Sequence, residues 1–291
     1  MIEELRRQQI EEIQKRRLND KRRRRKFFLI IPAVLLLIQI YSNTHFQITY
    51  YELESEKTEA PVKIVVLSDL HSVEYGKGNQ KLIEAVKTEE PDFIAMLGDM
   101  VNKDDTDFSV IRHLCRELKE IAPVYYTLGN HEGSLMFGRL DSVELDKFLE
   151  EEGVKVLINQ VAEFKKDDTT ICLAGTSNGA QDYDQWAREK LEDFWSMEGY
   201  KIVLSHFPDL YYDKLKDKDF DLALAGHYHG GIIRIPGVGG LYHPEEGLFP
   251  RYSGGRYLLT HGVLIVSRGI GGHGLIPRIN NRPELVVIEI K

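Results

Sequence analysis

The sequence predicts an α/β fold with a second packed sheet, and two observations support this prediction. Short apolar runs at 63–68, 93–97 and 124–128 are typical of buried strands. Amphipathic stretches at 80–88 and 108–121 separate or follow these runs, and such alternation of strands with helices favours a largely parallel sheet. The later part of the chain has several strand-like runs in succession, which predicts the second sheet.

Turn residues and periodicity set the remaining elements. Pro91 ends the first helix, and Pro208 suits the first position of the last one. The predicted strands are 48–54, 63–68, 93–97, 124–128, 154–158, 161–165, 170–175, 202–204, 232–235, 263–267 and 285–290. The predicted helices are 80–88, 108–121, 143–152, 187–195 and 208–215. We expect the three strands within 154–175 to be antiparallel and the strands after 231 to complete the sheet.

Five short polar motifs, each placed after an apolar run, are the main functional signal. Ligands of α/β sheets bind at the carboxyl ends of strands. Residues two apart on an extended chain point the same way, so an Asp-x-His or His-x-His motif can present two ligands to one side. The motifs are Asp69-Leu70-His71, Gly98-Asp99, Gly129-Asn130-His131-Glu132, Ser205-His206 and Gly226-His227-Tyr228-His229.

No single motif is decisive, because Asp-x-His and Gly-Asp sequences are commoner in turns than in ligand pairs. Buried imidazoles and carboxylates are costly unless they are paired or bound to a metal. All five motifs in this order therefore predict one site for two metal ions, and with it hydrolysis of a phosphate ester.

The order of the motifs resembles the calcineurin-like metallophosphoesterase family from about Val62 to the C-terminus. The resemblance is greatest to a bacterial branch that is membrane-anchored or exported. There the Gly-His-x-His-Gly-Gly motif precedes a Pro/Gly-rich loop, a Val-Ser-Arg-Gly-Ile-Gly segment and an Arg-Pro-Glu strand, here 226–231, 235–237, 266–271 and 282–284. Tyr228 stands where the branch usually has Thr. The resemblance implies two facing mixed β-sheets flanked by helices, a four-layer αββα sandwich.

The resemblance also implies a role for each motif. It implies seven metal ligands for two ions: Asp69, His71 and His229 for the first, Asn130, His206 and His227 for the second, and Asp99 bridging both. His131 is implied to be no ligand but to face the substrate as the acid or transition-state stabiliser. Glu132 is expected to orient a neighbouring group.

Two divalent ions would give this site its chemistry. They polarise phosphoryl oxygens, and a bridging hydroxide with a pKa near neutrality provides a nucleophile. Four imidazoles with few carboxylates favour Mn, Fe or Zn over Mg or Ca. His131 can protonate the leaving alkoxide, since imidazole titrates near neutral pH.

Charge is unevenly distributed along the chain. Residues 1–26 hold eleven Lys/Arg and five Asp/Glu, a net charge of +6, so the rest carries −14 of an overall −8. Phosphate backbones are bound by basic surfaces, so an acidic catalytic domain makes nucleic acid an unfavourable partner.

The N-terminal part predicts a membrane anchor. A basic cluster at 22–26 precedes an apolar run at 27–41, which has about 15 residues where a span needs roughly 20. The predicted divisions are a basic cytoplasmic segment at 1–26, a transmembrane anchor or uncleaved signal at 27–46, and a catalytic domain at 47–291. The charge asymmetry predicts a single-pass membrane protein with a cytoplasmic N-terminus and an extracytoplasmic catalytic domain. A twin-arginine export signal at 24–28 is an alternative.

Three functions fit these features. The first is a metallophosphoesterase at the cell envelope acting on a phosphomonoester, a diester or a lipid-linked pyrophosphate. The second is an intracellular nuclease or nucleotide phosphodiesterase, which the acidic domain disfavours. The third is a non-catalytic metal-binding scaffold, which the full ligand set disfavours. The segment 241–257, rich in Gly, Pro and Tyr, is expected to form a substrate-facing flap with Tyr252 at its aromatic tip.

Overall fold

The computed structural model describes residues 44–138, 144–177, 179–244, 246–272 and 278–291, with isolated positions between 12 and 41. The chain divides into two units, Met1–Tyr41 and Ser42–Lys291. In the first unit the described positions are helical. The second unit contains the sheets and all five motifs.

Two six-stranded mixed sheets and two short hairpins contain the strands of the described residues. The strands are β1 (Gln47–Leu53), β2 (Val62–Leu67), β3 (Phe93–Met96), β4 (Val124–Tyr126), β5 (Lys155–Val156), β6 (Gln160–Lys166), β7 (Thr169–Thr176), β8 (Tyr200–Ser205), β9 (Leu222–Ala225), β10 (Arg234–Ile235), β11 (Gly239–Gly240), β12 (Tyr242–His243), β13 (Gly247–Leu248), β14 (Gly255–Leu259), β15 (Gly262–Val266) and β16 (Glu284–Ile290). Sheet I has the order β1-β16-β2-β3-β4-β5, and sheet II has the order β14-β15-β9-β8-β7-β6. The hairpins are β10–β11 and β12–β13.

Helices connect many of these strands. The α-helices in the second unit are α1 (Gln80–Thr88), α2 (Ser109–Lys119), α3 (Asn130–Phe137), α4 (Leu145–Glu151), α5 (Tyr183–Trp186) and α6 (Asp209–Asp213). Short 3₁₀ turns occupy Lys77–Asn79, Glu189–Leu191, Asp193–Ser196 and His229–Gly231. The predicted helix at 187–195 is thus mostly 3₁₀ turns.

Three apolar clusters arrange the second unit in four layers. Alternate residues of β2 point to opposite faces: Ile64 and Val66 pack between the two sheets, whereas Val65 and Leu67 pack under α1 and α2. A third cluster packs α5 and α6 on the outer face of sheet II. This helix–sheet–sheet–helix arrangement confirms the predicted fold class, two facing mixed sheets flanked by helices.

Strand direction brings the motifs to one edge of the sheets. β2, β3, β4 and β5 run parallel in sheet I, and β7, β8, β9 and β15 run parallel in sheet II. The loops after β2, β3, β4, β8 and β9 carry the five motifs.

Two strand predictions were wrong in their pairing. The strand expected at 154–158 is β5, which pairs parallel with β4 of sheet I rather than antiparallel with β6. The strand expected at 232–235 does not complete a sheet, because β10 pairs with β11 in a separate hairpin and Ile233 forms an isolated bridge with Ile279. For β5, the error was to assume that consecutive strands pair with each other.

The predicted single-pass membrane location is contradicted. Within the described residues, no helix is both long and apolar enough to cross a membrane. The apolar run at 27–41 has about 15 residues, so a helix over it would reach only about 22 Å, short of the roughly 30 Å of a hydrocarbon core. Much of 1–46 lies outside the described residues, so the predicted domain boundaries there are not assessed.

Candidate metal centre

The site lies where the parallel strands of both sheets end. Within sheet I, the Asp69 backbone N–H donates to the Gly98 carbonyl at 3.0 Å. Within sheet II, the Gly226 N–H donates to the His206 carbonyl at 3.0 Å. Nδ1 of the same histidine lies 2.7 Å from the carbonyl oxygen of Leu97, which joins the two sheets at this edge. The five motifs therefore meet at one place.

One group of candidate ligands surrounds Nε2 of His206, a fully buried side chain. This atom lies 3.1 Å from Nδ1 of His227, 3.1 Å from Oδ1 of Asn130 and 3.3 Å from Oδ2 of Asp99. In the neutral ring, Nδ1 donates its proton to the Leu97 carbonyl, so Nε2 turns its lone pair toward three other acceptors.

A second group surrounds Nε2 of His229. This atom lies 3.1 Å from Nε2 of His71 and 3.4 Å from Oδ1 of Asp69. Nε2 of His71 is also 3.9 Å from Oδ2 of Asp99, which therefore faces both groups. Nδ1 of His71 lies 3.2 Å from Oδ1 of Asn102, a partner that fixes the orientation of the ring.

The charges in the two ligand groups stabilise a cation between them. Burial alone would lower the pKa of His206, but the carboxylates of Asp99 and Asp69 raise it to about 10. Burial would raise the pKa of Asp99, but the facing His206 and His71 hold it well below its usual range. Burial lowers the pKa of His71. A cation, whether a proton or a metal ion, is therefore stabilised between these side chains.

The donor set fits two divalent metal ions. Nitrogen and oxygen lone pairs converge from buried side chains, and such acceptors repel one another unless positive charge lies between them. Three groups have ligand atoms that all lie within 4.8 Å of one another: Asp69 with His71 and His229, Asp99 with His206 and His227, and His71 with Asp99 and His131. The structure brings all seven predicted ligands together, while their roles as ligands stay a prediction.

His131 lies at the mouth of the site. Its side chain is 23% exposed, and its Nε2 is 3.9 Å from Oδ2 of Asp99. Its Nδ1 accepts a hydrogen bond from the backbone N–H of Lys103 at 3.0 Å. Because Nδ1 is an acceptor, the proton of the neutral ring lies on Nε2, the nitrogen nearer the ligand groups.

Glu132 connects two of the motif loops, as the sequence led us to expect of an orienting residue. Its buried carboxylate accepts hydrogen bonds from the backbone N–H groups of Asp99, Met100 and Gly129 at 2.8–2.9 Å. The hydroxyl of Tyr126 donates to it at 2.6 Å. A single side chain thereby fixes the loop after β3 against the loop after β4.

Two glycines allow these loops to approach closely. Gly98 has a φ of +81°, and a Cβ on it would lie 2.3 Å from the backbone nitrogen of Gly129. A Cβ on Gly129 would lie 2.2 Å from Oδ1 of Asp99. A larger residue at Gly129 would therefore displace the carboxylate that faces both ligand groups, and one at Gly98 would push the two loops apart.

C-terminal residues hold the last motif through contacts that sequence reasoning did not find, although it favoured a structural role for Arg278. The buried Arg278 places Nη2 3.2 Å from Nδ1 of His229 and donates through Nη1 to the Arg268 carbonyl at 2.6 Å. Asn281 donates to the backbone carbonyl of His229 at 2.6 Å. Nothing in the local sequence of 278–281 signals these contacts, because they arise only when the chain returns to the site.

The hairpin β12–β13 lies beside the same site. The ring of its His243 lies 5.4 Å from that of His227 and 5.0 Å from that of Tyr228. The segment predicted as a flap, 241–257, therefore begins against a candidate metal ligand.

Comparisons with known proteins agree with this geometry. Residues 62–231 match the family model described as calcineurin-like phosphoesterase. Phosphodiesterase YaeI of Escherichia coli is 31% identical over 79% of this chain and 83% of its own length. The uncharacterized metallophosphoesterase YkoQ of Bacillus subtilis is 30% identical over 79% of this chain and 83% of its own length. Among solved structures, a dimetal phosphatase from Danio rerio covers 72% of this chain and 87% of its own, with 13% identity and a TM-score of 0.42.

Proposed function

This chain belongs to the calcineurin-like phosphoesterase family, and from that premise we propose that it is a phosphodiesterase acting at the site built by its five motifs. It is a metal-dependent phosphoesterase of the hydrolase class, and its substrate is a phosphate ester. The diester preference is our proposal, supported by the name of the relative from Escherichia coli.

One observation carries the proposal. Three atoms lie 3.1–3.3 Å from Nε2 of His206: Nδ1 of His227, Oδ1 of Asn130 and Oδ2 of Asp99. A second group surrounds Nε2 of His229. Buried acceptors in such an arrangement are stable only around cations. The arrangement therefore supports a dinuclear site rather than a set of unrelated packing contacts.

We assign the side chains accordingly. Asp69, His71 and His229 would hold one ion, Asn130, His206 and His227 the other, and Asp99 would contact both. When bound, two such ions supply Lewis acidity toward phosphoryl oxygens and an activated water. The imidazole-rich donor set favours Mn, Fe or Zn.

The chain's own proton donor would be His131. The Lys103 backbone N–H occupies Nδ1, so the neutral ring presents its Nε2 proton toward the ligand groups. There it can donate a hydrogen bond to the leaving oxygen and stabilise the negative charge that develops as the ester bond breaks. The backbone contact to Lys103 selects the tautomer that this role needs.

A lipid-linked phosphate ester is a second candidate substrate. Val238, Leu248 and Phe249 are 63%, 68% and 56% exposed, and they lie in the hairpin segments that follow the last metal motif. Exposed apolar residues in segments that follow the last metal motif would be suited to an apolar substrate chain. We would compare octyl and methyl 4-nitrophenyl phosphodiesters: a lipid preference predicts a higher kcat/KM for the octyl ester that L248S reduces, and equal values would contradict it.

The diesterase proposal can be tested with two chromogenic esters. The full chain, loaded in turn with Mn²⁺, Zn²⁺ or Fe²⁺, should hydrolyse bis(4-nitrophenyl) phosphate faster than 4-nitrophenyl phosphate. A chelator, H131A and D99N should each abolish most of the turnover. A faster monoester would contradict the diester preference. No turnover with two bound ions, measured by elemental analysis, would contradict the proposed site chemistry.

A further inference from the structure

Arg251, an exposed residue in the segment that follows β13, lies against the rings of Tyr212 in α6 and Tyr252. The guanidinium carbon of Arg251 lies 5.4 Å from the ring centre of Tyr212 and 5.3 Å from that of Tyr252. The two rings are 5.1 Å apart, so the arginine and both tyrosines form one stack. Stacking on aromatic faces orients a guanidinium and leaves its N–H edge available to a ligand.

This stack is connected to the metal centre through Tyr228. The hydroxyls of Tyr212 and Tyr228 lie beside one another, and the ring of Tyr228 lies 5.2 Å from that of His227. Tyr228 lies between the two histidines of the Gly-His-x-His motif. Its large side chain thus lies between the stack and a candidate metal ligand.

Among the described residues, no carboxylate forms an ion pair with Arg251 within 4.0 Å. Three other arginines near the site make contacts within the protein. Arg268 pairs with Glu284, Arg278 is buried against carbonyls, and Arg234 donates to the Gly230 carbonyl.

We propose that Arg251 recognises a second phosphate group on the substrate, separate from the phosphate that is hydrolysed. The inference rests on the proposed phosphodiesterase function and deepens it by naming the substrate class. A planar guanidinium binds phosphate through two parallel N–H···O bonds, a geometry that an ammonium group cannot reproduce. An oriented arginine on an otherwise acidic domain selects such a substrate over one without the second phosphate.

Two substrates that differ only in a distal phosphate provide the test. Thymidine 5′-(4-nitrophenyl phosphate) and its 3′-phosphorylated form present the same ester bond, with and without a second phosphate. We expect the full chain to have a higher kcat/KM for the 3′-phosphorylated form, mainly through a lower KM. R251A should reduce this ratio about tenfold, the loss expected for one charge-assisted contact. R251K should retain part of the ratio, and R251E should lower it further.

Arg256 provides the matched control, because it is also exposed but donates to the Glu52 backbone carbonyl. R256A should leave the ratio unchanged. Equal kcat/KM values for both substrates in the unmodified protein, or a ratio that R251A and R251E do not alter, would overturn the proposal. Turnover of bis(4-nitrophenyl) phosphate is read separately: if it is absent, the proposed function fails, whereas if it is present without the ratio effect, only the role of Arg251 fails.

Discussion

At the scale of single residues, Asp99 is the side chain on which both ligand groups depend. Its Oδ2 lies 3.3 Å from Nε2 of His206 and 3.9 Å from Nε2 of His71. D99N keeps the shape but removes the negative charge, so we expect metal affinity to fall by more than about 100-fold. Metal content per chain, measured by elemental analysis after dialysis, checks this. D167N, in an exposed turn, is the control, and two ions retained by D99N would contradict a shared ligand.

Tyr126 tests the role of Glu132 without touching a candidate ligand. Y126F removes the hydroxyl that donates to the Glu132 carboxylate at 2.6 Å, while three backbone donors remain. We expect the free energy of unfolding to fall by about 1 kcal/mol, the usual net value of one hydrogen bond. Urea denaturation measures it.

Tyr125 is the matched control for that change. Its hydroxyl makes only a long contact of 3.4 Å to the Glu163 carbonyl, so Y125F should have a smaller effect. If both variants lost the same free energy of unfolding, the contact of Tyr126 with Glu132 would not contribute to stability beyond an ordinary tyrosine hydroxyl.

The motifs identified the side chains that the structure brings together, while their roles as ligands stay a prediction. His227 and His229 lie two positions apart in one motif, and the family resemblance assigns them to different ions. The Leu97 carbonyl and Arg278 could not be predicted, since each contacts a histidine that is far away in the sequence. Such supporting contacts depend on the packed sheets and not on local composition.

At the scale of elements, the close loops after β3 and β4 depend on Gly129. In G129A, the added methyl would lie 2.2 Å from Oδ1 of Asp99, so the loops must separate. We expect a loss of about 2–3 kcal/mol in unfolding free energy, as for other overpacked sites, together with weaker metal binding. Thermal unfolding and metal titration measure the two effects.

Gly133, one turn later in α3, is the control for Gly129. A Cβ at that position meets nothing within 4 Å, and alanine favours helix. G133A should therefore be neutral or stabilising by up to about 1 kcal/mol. If both variants behave alike, the close approach of the loops is not what limits substitution.

Element types were easier to predict than their partners. The apolar run at 63–68 was predicted to be a buried strand, and it corresponds to β2, which is buried on both faces. The short strands β5 and β10 each have two residues, too few for periodicity to indicate which sheet they join. The partner of β5 is β4, which lies about 30 residues earlier, whereas β10 pairs locally with β11.

At the scale of the whole molecule, stability depends on the layer between the two sheets. Ile202 of β8 is fully buried there, and I202A would leave a cavity in that layer. We expect a loss of about 2–5 kcal/mol in the free energy of unfolding. Leu258 of β14 is 78% exposed, so L258A should change it by less than about 0.5 kcal/mol. Denaturant titration of both variants decides, and a small loss for I202A would contradict a tightly packed layer.

Metal removal should lower the stability of the whole fold, because the candidate ligands come from both sheets. Ions that bind only the folded state raise stability by mass action, about 2.7 kcal/mol for a free concentration 100 times Kd. The melting temperature should therefore fall when a chelator is added and recover with Mn²⁺ or Zn²⁺. A melting temperature that is insensitive to both treatments would contradict ligation across the sheets.

The four-layer architecture was predicted correctly, whereas the single-pass location was not. Apolar runs that alternate with amphipathic stretches predict layers of strands and helices, since each apolar face of a sheet must be covered by another element. The N-terminal prediction relied on a basic cluster before an apolar run of about 15 residues, and that run is shorter than a bilayer requires. Charge asymmetry gave an orientation to a span that the structure does not support.

The position of β16 determines when the metal site can form during synthesis. This last strand lies between β1 and β2, and β2 leads directly to Asp69. Until β16 has been synthesised, β2 is an open edge of sheet I, and the Asp69 loop lacks the neighbour that secures it. Arg278 and Asn281, which hold His229, precede β16 closely in the sequence. Metal capture should therefore require β16, and stalled nascent chains that end before Glu284 should not retain the ions.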